Sequence, residues 1–475
     1  MTLPDNVLVV DLDNTLIKSD LLHETFWSAL SKDWLTPLRA LSSLAKGKSQ
    51  LKATLAEIAA IDVATLPYNR EVLNYIETHR NAGGKTALVT ASNNSLAIKI
   101  AKHLGIFDYV QGSTADVNLK GLTKAEVLAK LFGEKLFMYL ADSRADLPVW
   151  KISAKAVTIG ATPELRKLVE ETNPNFEHLE TVEPKAKSYI KALRPHQWLK
   201  NTLLFLPLLA AHDFRLTTII LAIIGFCSFC FVASSVYLIN DLIDLQPDRM
   251  HATKKYRPLA AGAVPISHGA FLALLFFGVG VLFASLVNSL FFMGIVGYFV
   301  LTLAYSLIIK KLLLIDICTL AVLYTLRVIC GSLATGIDTS FWLTGLSIFI
   351  FLSLASVKRQ AELVEIAKHN RTKIAGRAYD LNDLPMVSAL SLVTGLISVL
   401  ILALYVNSPA VFQIYKTPQI IWGACFVLLY WISRVVFLTS RGKMHDDPLV
   451  FALKDPQSHL CGVIILTLAV FGSIV

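Results

Sequence analysis

The sequence predicts two parts of different fold class: an α/β domain with a doubly wound parallel sheet, followed by an all-α bundle that spans a membrane. Hydrophobic residues make up 54% of the 475 residues and the mean hydropathy is +0.57, which is too apolar for an ordinary soluble protein. The first 190 residues are mixed and rich in charge, whereas from about Asn201 long apolar runs recur with basic residues between them. We therefore place the α/β domain at 1–183, a linker at 184–193 and the membrane domain at 194–475.

Three short apolar runs in the polar part, at 7–10, 85–90 and 136–141, are predicted strands, and polar residues follow each of them. A helix at 70–80 and a helical, strand-poor insert near 20–66 lie between the first two runs. Strands that alternate with helices form parallel sheets, and ligand sites in open α/β sheets lie at the carboxyl ends of the strands. Residues 11–15, 90–92 and 142–146 are therefore expected to share one site, with the helical insert as a cap over it.

Four elements of this part occur in a recognisable order. They are D-x-D-x-T at residues 11–15, a strand that ends in Thr90 with Ser92 after it, Lys124 before a helix, and D-S-x-x-D at residues 142–146. Together they resemble the haloacid dehalogenase superfamily, whose members are mostly phosphatases, over about the first 175 residues. A domain that has lost activity and serves as a scaffold is the alternative.

The resemblance implies a role for each of these side chains. Asp11 would attack phosphorus as the nucleophile and Asp13 would act as acid and base. Phosphate would be bound by Thr90, Ser92 and Lys124, with Lys120 as a competing candidate for the lysine. Mg²⁺ would be held by Asp142 and Asp146 together with Asp11.

The apolar part has room for about nine membrane spans of roughly 20 residues, the first of them a short one at 202–214. Basic residues follow every second span, so the positive-inside rule places those loops and the polar domain in the cytoplasm and the carboxyl terminus outside. We expect an integral protein of a bacterial plasma membrane. This topology explains the net charge of +9 better than nucleic-acid binding does. All six cysteines lie in the apolar part, and Cys227 and Cys230 are interpreted as small packing residues, so no disulfide framework is expected.

A cluster of acids and cations follows the apolar run that ends at Ile239. It comprises the motif N-D-x-x-D-x-x-x-D, at Asn240, Asp241, Asp244 and Asp248, and the cations Lys254, Lys255 and Arg257. On a continuous helix the three acids would share roughly one face. Carboxylates in that arrangement suit a Mg²⁺ ion whose coordination is completed by substrate phosphate oxygens, and the cations would take the remaining charge. Acids at the end of a membrane span are costly, which favours a functional role.

Further charged groups lie in or beside the spans. Asp316 begins one span and Arg327 lies about three turns deeper. An arginine in lipid normally faces the bundle interior with a partner, so these residues serve either structural pairing or, for Arg327, phosphate binding. Lys310 and Lys358 lie at other span ends, and Lys200 lies in a basic, aromatic collar before the first span.

Residues 190–475 resemble the UbiA superfamily of intramembrane prenyltransferases, on the basis of the acidic motif, K-x-R-P at residues 255–258, and Tyr305 with Lys310. The second aspartate-rich motif of aromatic prenyltransferases is replaced by Lys358-Arg359-Gln-Ala-Glu-Leu-Val-Glu. With L-R-P-x-Q-W-x-K-N at 193–201, this departure looks like the decaprenyl-phosphate phosphoribosyltransferase branch. That branch implies a Mg²⁺-dependent transfer of phosphoribose from phosphoribosyl diphosphate to a polyprenyl phosphate. The implied substrate-binding residues are Lys200, Asn201, Asn240, Lys254, Lys255, Arg257, Tyr305, Lys310, Asp316, Arg327 and Lys358.

Two alternatives remain open for the membrane part. One is prenyl transfer from a prenyl diphosphate to an aromatic or other acceptor. The other is a membrane lipid-binding protein with a non-catalytic polar scaffold, which would have no need for Asp241, Asp244 and Asp248 together.

Overall fold

A computed structural model describes residues 7–114, 117–180, 185–369, 372–374, 376–444 and 447–474. Pro184, the first residue of the predicted linker, and Arg371, in one of the predicted basic loops, lie outside these ranges. The rest of the predicted linker is helical, as α9 (Ala186–Leu193).

A six-stranded parallel sheet forms the centre of the polar part, in the order β3-β2-β1-β4-β5-β6. The strands are β1 (Val7–Val10), β2 (Lys85–Asn93), β3 (Tyr109–Ser113), β4 (Phe137–Ala141), β5 (Lys155–Ile159) and β6 (Phe176–Leu179). The strand order reverses between β1 and β4, which is where doubly wound sheets bind ligands. The predicted fold class is therefore confirmed, although the sequence pattern alone does not predict β3, β5 and β6.

Helices form the cap and cover the sheet. The predicted helical insert consists of α1 (Leu21–Lys32), α2 (Thr36–Leu44) and α3 (Lys48–Ile58), and the sheet is covered by α4 (Arg70–Asn81), α5 (Asn94–Leu104), α6 (Leu122–Phe132), α7 (Leu147–Ile152) and α8 (Pro163–Thr172). Side chains alternate between the two faces of a strand. Val10 therefore packs in one core with Ile76, whereas Val9 packs in a second core with Trp150.

Contacts divide the chain into two compact units that do not coincide with the predicted domains. The first unit comprises Met1–Leu193 and Tyr237–Ala273, and the second comprises Arg194–Val236 and Leu274–Val475. The acidic motif at 240–248 thus packs with the polar part. The predicted boundaries 183/184 and 193/194 stay a prediction.

Among the described residues, eight helices are long and apolar enough to span a membrane: α11 (Leu216–Ile243), α13 (Ile266–Val287), α14 (Ser289–Leu307), α15 (Ile315–Thr335), α16 (Phe341–Lys368), α17 (Leu384–Val406), α18 (Trp422–Ser440) and α20 (Pro456–Ile474). Three short helices complete the described set: α10 (Leu206–Ala210), α12 (Leu245–Met250) and α19 (Pro448–Ala452). The predicted all-α membrane part is thereby confirmed.

The first predicted span, at 202–214, differs from the other eight. The chain forms a 3₁₀ helix of 11 residues, Pro195–Phe205, and continues into α10. This stretch runs antiparallel to α11, since Trp198 donates to Ser234 at 2.9 Å and Phe205 packs on Phe226 at a centroid distance of 5.6 Å. At about 2.0 Å per 3₁₀ residue and about 1.5 Å per α residue, Pro195–Ala210 extends roughly 30 Å, which matches the hydrocarbon thickness of a bilayer.

Candidate functional site

Three carboxylates converge at the carboxyl ends of β1 and β4. Asp11 follows β1, Asp142 follows β4 and Asp146 closes the turn into α7; one oxygen of each lies within 4.8 Å of the others. Burial raises the pKa of Asp142 to about 8, and the charges of Asp11 and Asp146 add to the rise. Hard oxygen ligands at this spacing fit Mg²⁺, and a cation would offset both the burial of these carboxylates and the repulsion between them.

A buried lysine neutralises this cluster. Lys124, at the start of α6, is 2% exposed and places Nζ 3.0 Å from Asp11 Oδ1 and 3.4 Å from Asp146 Oδ1. Burial lowers its pKa, but the two carboxylates outweigh burial and raise the pKa above the usual lysine range. The hydroxyl of Tyr139 bridges Lys124 and Asp146: it accepts a hydrogen bond from Lys124 at 2.8 Å and donates one to Asp146 at 2.7 Å. The competing candidate, Lys120, is exposed.

Asp13 has the environment of an acid that holds its proton near neutral pH. Asn14 has a positive φ of 52° in the turn after β1. One carboxylate oxygen of Asp13 accepts from Ser92 Oγ at 2.6 Å and the other from the backbone N–H of Leu21 at 2.8 Å. Burial, followed by the charges of Asp20 and Asp11, raises the pKa of Asp13 to about 7. A group with that pKa can give a proton to a leaving oxygen and take one from water.

The two predicted phosphate-binding hydroxyls differ in their surroundings. Ser92 contacts Asp13 directly, as described above. Thr90 is fully buried, and its Oγ1 accepts from the backbone N–H of Ser92 at 3.0 Å. Thr90 therefore shapes the loop that carries Ser92. Thr15, the last residue of the first motif, donates to Asp142 at 3.3 Å.

The cap contributes a cation that the sequence motifs do not reveal. Lys52, on α3, donates to the carbonyl of Ala91 at 2.5 Å. Burial lowers the pKa of Lys52, while the charges of Asp13 and Asp20 act in the opposite direction. Lys52 thus lies beside the acids of the site. It belongs to none of the motifs, so the sequence pattern does not predict it.

The acidic motif of residues 240–248 is not one continuous helix, contrary to the prediction. α11 ends at Ile243, Asp244 has φ −95° and ψ 19°, and α12 begins at Leu245. Pro247 explains the break, because a proline ring clashes with the carbonyl four residues earlier, here that of Ile243. Asp241 and Asp248 are 3% and 2% exposed, whereas Asp244 is half-buried at the break.

Arg257 joins the two buried acids of this motif. Its Nη1 lies 3.2 Å from Asp241 Oδ1 and 2.5 Å from Asp248 Oδ2, while Lys254 and Lys255 are exposed. Within the described ranges these acids do not meet the 4.8 Å spacing that Asp11, Asp142 and Asp146 meet. The donor set still fits Mg²⁺, because it offers carboxylates and the buried Asn240 Oδ1, which accepts no hydrogen bond from the described residues.

In the second unit, two of the predicted cations share a carboxylate that the sequence did not single out. Asp447 lies 2.8 Å from Lys200 Nζ and 3.1 Å from Lys358 Nζ, and accepts from the hydroxyl of Tyr324 at 3.0 Å. Burial raises the pKa of Asp447, but Lys358 and Lys200 outweigh burial and hold it well below its usual range. The group carries more positive than negative charge, which suits an added anion.

Asp316 pairs with arginines other than Arg327. Asp316 is fully buried and pairs with Arg359 at 2.6 Å, while it accepts from Tyr379 at 2.6 Å and lies 3.4 Å from Arg377. Asp316 thus takes part in structural pairing, and its predicted role in substrate binding stays a prediction.

Arg327 and Tyr305 have other partners. Arg327 donates to Asn201 Oδ1 at 3.0 Å and to the hydroxyl of Tyr298 at 2.9 Å. Tyr305 accepts from Arg377 at 3.1 Å, and Lys310 lies half-buried in the 3₁₀ turn Ile309–Lys311 after α14. Arg359, Arg377 and Asp447 gain their importance only from contacts across the bundle, so no local motif indicates them.

Comparison with known proteins gives two family matches. A model of the UbiA prenyltransferase family matches residues 201–449, and a model of haloacid dehalogenase-like hydrolases matches residues 8–151. Both resemblances predicted from the sequence are thereby confirmed.

Relatives include proteins that match nearly the whole chain and proteins that match part of it. The uncharacterized protein y4nM of Sinorhizobium fredii is 36% identical over 96% of this chain and 89% of its own length, and the nodulation protein NoeC of Azorhizobium caulinodans is 34% identical over 58% and 89%. Decaprenyl-phosphate phosphoribosyltransferase of Corynebacterium glutamicum is 40% identical over 39% of this chain and 57% of its own length. The chain thus spans less than two thirds of that phosphoribosyltransferase.

Proposed function

The chain belongs to the UbiA prenyltransferase family and carries an amino-terminal haloacid dehalogenase-like domain, and from that premise we propose that its membrane part transfers phosphoribose from phosphoribosyl diphosphate to a polyprenyl phosphate. The observation that carries the proposal is the buried pair Asp241 and Asp248 at the end of an apolar helix, with Arg257 beside both. Carboxylates and a cation in one place suit a Mg²⁺-bound diphosphate.

The choice of substrates rests on two cations in the carboxyl-terminal half of α16. Where an aromatic prenyltransferase carries a second acidic motif, this chain has Lys358, which pairs with Asp447, and Arg359, which is fully buried against Asp316. Cations there favour an acceptor that brings its own negative charge, such as a lipid monophosphate. The similarity to decaprenyl-phosphate phosphoribosyltransferases supports the same assignment.

In the proposed reaction, an oxygen of the lipid phosphate forms a bond to the anomeric carbon of the ribose as the bond from that carbon to the diphosphate breaks. Diphosphate leaves with the electron pair, and the carbon has oxocarbenium character between the two events. Asp241, Asp244 and Asp248 would hold Mg²⁺, which neutralises the leaving diphosphate. Arg257 binds the same group, and Lys200 and Lys358 bind the acceptor phosphate by taking it as a second partner beside Asp447.

We propose further that the polar domain is a phosphatase that removes the 5-phosphate from the lipid-linked product. Asp11 attacks the phosphorus and the bond from phosphorus to the sugar oxygen breaks, while Asp13 protonates that oxygen and Lys124 stabilises the charge on phosphate. A water molecule that gives a proton to Asp13 then attacks the phosphorus, so that phosphate leaves and the carboxylate of Asp11 is restored. The convergence of Asp11, Asp142 and Asp146 within 4.8 Å supports a competent site over a scaffold. Under the positive-inside rule, both sites would work on the cytoplasmic side of a bacterial plasma membrane.

The test is a comparison of substrates with the full-length protein in lipid nanodiscs. Labelled phosphoribosyl diphosphate is supplied with polyprenyl phosphate, and a parallel sample receives a prenyl diphosphate and an aromatic acid. We expect product only in the first sample, and only when Mg²⁺ is present. Product in the second sample alone would assign the chain to aromatic prenyl transfer instead.

A further inference from the structure

One face of the cap is apolar and exposed. Four large apolar side chains on this face are exposed: Trp34 (62%), Leu38 (64%), Leu41 (65%) and Leu44 (45%). Spacings of four, three and three residues place them along one side of α2 and the turn before it. A contiguous exposed apolar stripe on a polar domain marks a surface that is covered in the working protein.

The charges around this stripe are almost all positive. Residues 32–48 contain four cations, Lys32, Arg39, Lys46 and Lys48, and one acid, Asp33, which pairs with Arg39 at 2.9 Å. A helix with an apolar face, basic flanks and a tryptophan has the composition of helices that lie in the headgroup layer of an anionic bilayer.

The cap also lies close to a membrane boundary within the first unit. Trp27 of α1 packs in the cluster that contains Leu242, at the end of α11, and Leu245, at the start of α12. Arg249 of α12 pairs with Glu24 of α1 at 2.7 Å. α11 has the length and hydropathy of a membrane span, so these contacts place the cap beside the end of a helix that can cross the membrane.

From these three observations we propose that α2 docks on the lipid bilayer, with Trp34, Leu38, Leu41 and Leu44 between the headgroups and its basic flanks on anionic lipid. The docked helix is joined to the carboxylate site by α3, since Ser43 donates to Thr54 at 3.1 Å and Lys52 reaches Ala91. The bilayer thereby holds the cap in place over Asp13.

The test measures lipid contact of the full-length protein in nanodiscs that contain phosphatidylglycerol and one protein copy each. A fluorescent amino acid is placed at position 41 in one sample and at position 131 in the control. Leu131 is also exposed, at 39%, but it lies on α6, which covers the opposite face of the sheet from the core that the cap helices contact. Lipids that carry a quencher in the upper acyl chain are then added.

We expect quenching at position 41 to be at least about threefold stronger than at position 131, and we expect K46E/K48E to weaken it when phosphatidylglycerol is present. Equal quenching at the two positions overturns the proposal. So does a probe at position 41 that is shielded from both lipid quencher and aqueous iodide, because that result means that protein covers the stripe. Neither readout depends on catalysis, so the outcome is independent of the proposed reactions.

Discussion

Lys124 is held between two carboxylates, and its charge is the main compensation for their burial. Its Nζ lies 3.0 Å from Asp11 and 3.4 Å from Asp146, whereas Lys120, four residues earlier, is exposed. The two lysines are equivalent in a sequence pattern. Their different burial decides which of them can act on a phosphate bound at Asp11.

We expect Lys124→Met to lower phosphatase activity by about 100-fold or more, because a buried cation beside the reacting group is lost. Lys120→Met is the matched control and is expected to keep activity within about twofold of the wild type. Hydrolysis of p-nitrophenyl phosphate by the full-length protein measures both. If the two variants lose activity equally, the assignment of the lysine is wrong.

Asp241→Asn is expected to abolish phosphoribosyl transfer, since a Mg²⁺-bound diphosphate loses a charged oxygen ligand. Asp213→Asn serves as the control, because Asp213 precedes the opposite end of the same helix and pairs with Arg215 at 2.6 Å. Transfer is followed with labelled phosphoribosyl diphosphate, and elution of intact protein on size exclusion checks the fold. Wild-type transfer by Asp241→Asn would refute the metal-site interpretation.

Local patterns predicted the acids of both sites and two of the cations beside them, Lys124 and Arg257, but they did not predict Lys52 or Asp447. Asp11, Asp142 and Asp241 follow strands or an apolar helix, so their neighbours in sequence reveal them. Lys52 contacts Ala91, which lies 39 positions away in the chain, and Asp447 contacts Lys200, which lies 247 positions away. Such contacts depend on tertiary packing, which periodicity and spacing do not encode.

The stretch Pro195–Ala210 has the length of a membrane crossing in spite of its few residues. As an α-helix its 16 residues would extend about 24 Å, but the 3₁₀ geometry of Pro195–Phe205 lengthens it to roughly 30 Å. Apolar length alone predicted a span that is tilted or half-buried. The helix type was not predictable, because it depends on packing against α11 and α15.

This packing leaves no room for a side chain at Gly331 of α15. A Cβ there would lie 2.1 Å from the carbonyl oxygen of Leu204, whereas a Cβ at Gly297 of α14 meets nothing within 4 Å. Gly331→Ala should therefore force the 3₁₀ stretch away and destabilise the protein by about 1–3 kcal/mol. Gly297→Ala is the control, and thermal unfolding in detergent is the measurement. Equal melting temperatures for the two variants would contradict the close approach.

The pair of Glu24 and Arg249 joins the cap to α12. Both are nearly buried, at 1% and 6% side-chain exposure, and two hydrogen bonds of 3.1 and 2.7 Å link them. Arg249→Met leaves a buried carboxylate unpaired, which we expect to cost about 3–5 kcal/mol and to speed hydrogen exchange in α1. The double variant Glu24→Met/Arg249→Met should regain most of that stability. Equal exchange rates in the single and double variants would mean that the ion pair is not what holds the cap.

The two domains are proposed to act in sequence on one lipid-linked sugar. Transfer leaves a 5-phosphate, and a tethered phosphatase meets that product at an effective concentration that short linkers commonly raise toward millimolar. Most of the stretch where a linker was expected is the helix α9.

Asp11→Asn is expected to leave phosphoribosyl transfer unchanged and to make the 5-phosphorylated lipid accumulate, because the nucleophile is lost. Mass spectrometry of the extracted lipid product distinguishes the phosphorylated from the dephosphorylated sugar. Asp108→Asn, which alters an acid paired with Lys85 at 3.3 Å away from the site, is the control. A wild-type product that keeps its 5-phosphate would show that the polar domain has a different substrate.

The assignment of Tyr237–Ala273 to the first unit also determines how this chain can be divided. A fragment that stops at Leu193 retains Glu24 and Trp27 but loses Arg249, which pairs with Glu24, and the apolar side chains of Leu242 and Leu245, which pack with Trp27. The amino-terminal half therefore completes part of its interior with residues that lie beyond 194–236 in the chain. If the gene were split at this junction, Glu24 would stay in an apolar setting without Arg249 on one product. Both products would also expose apolar surface. We therefore expect the fusion to persist as a single reading frame.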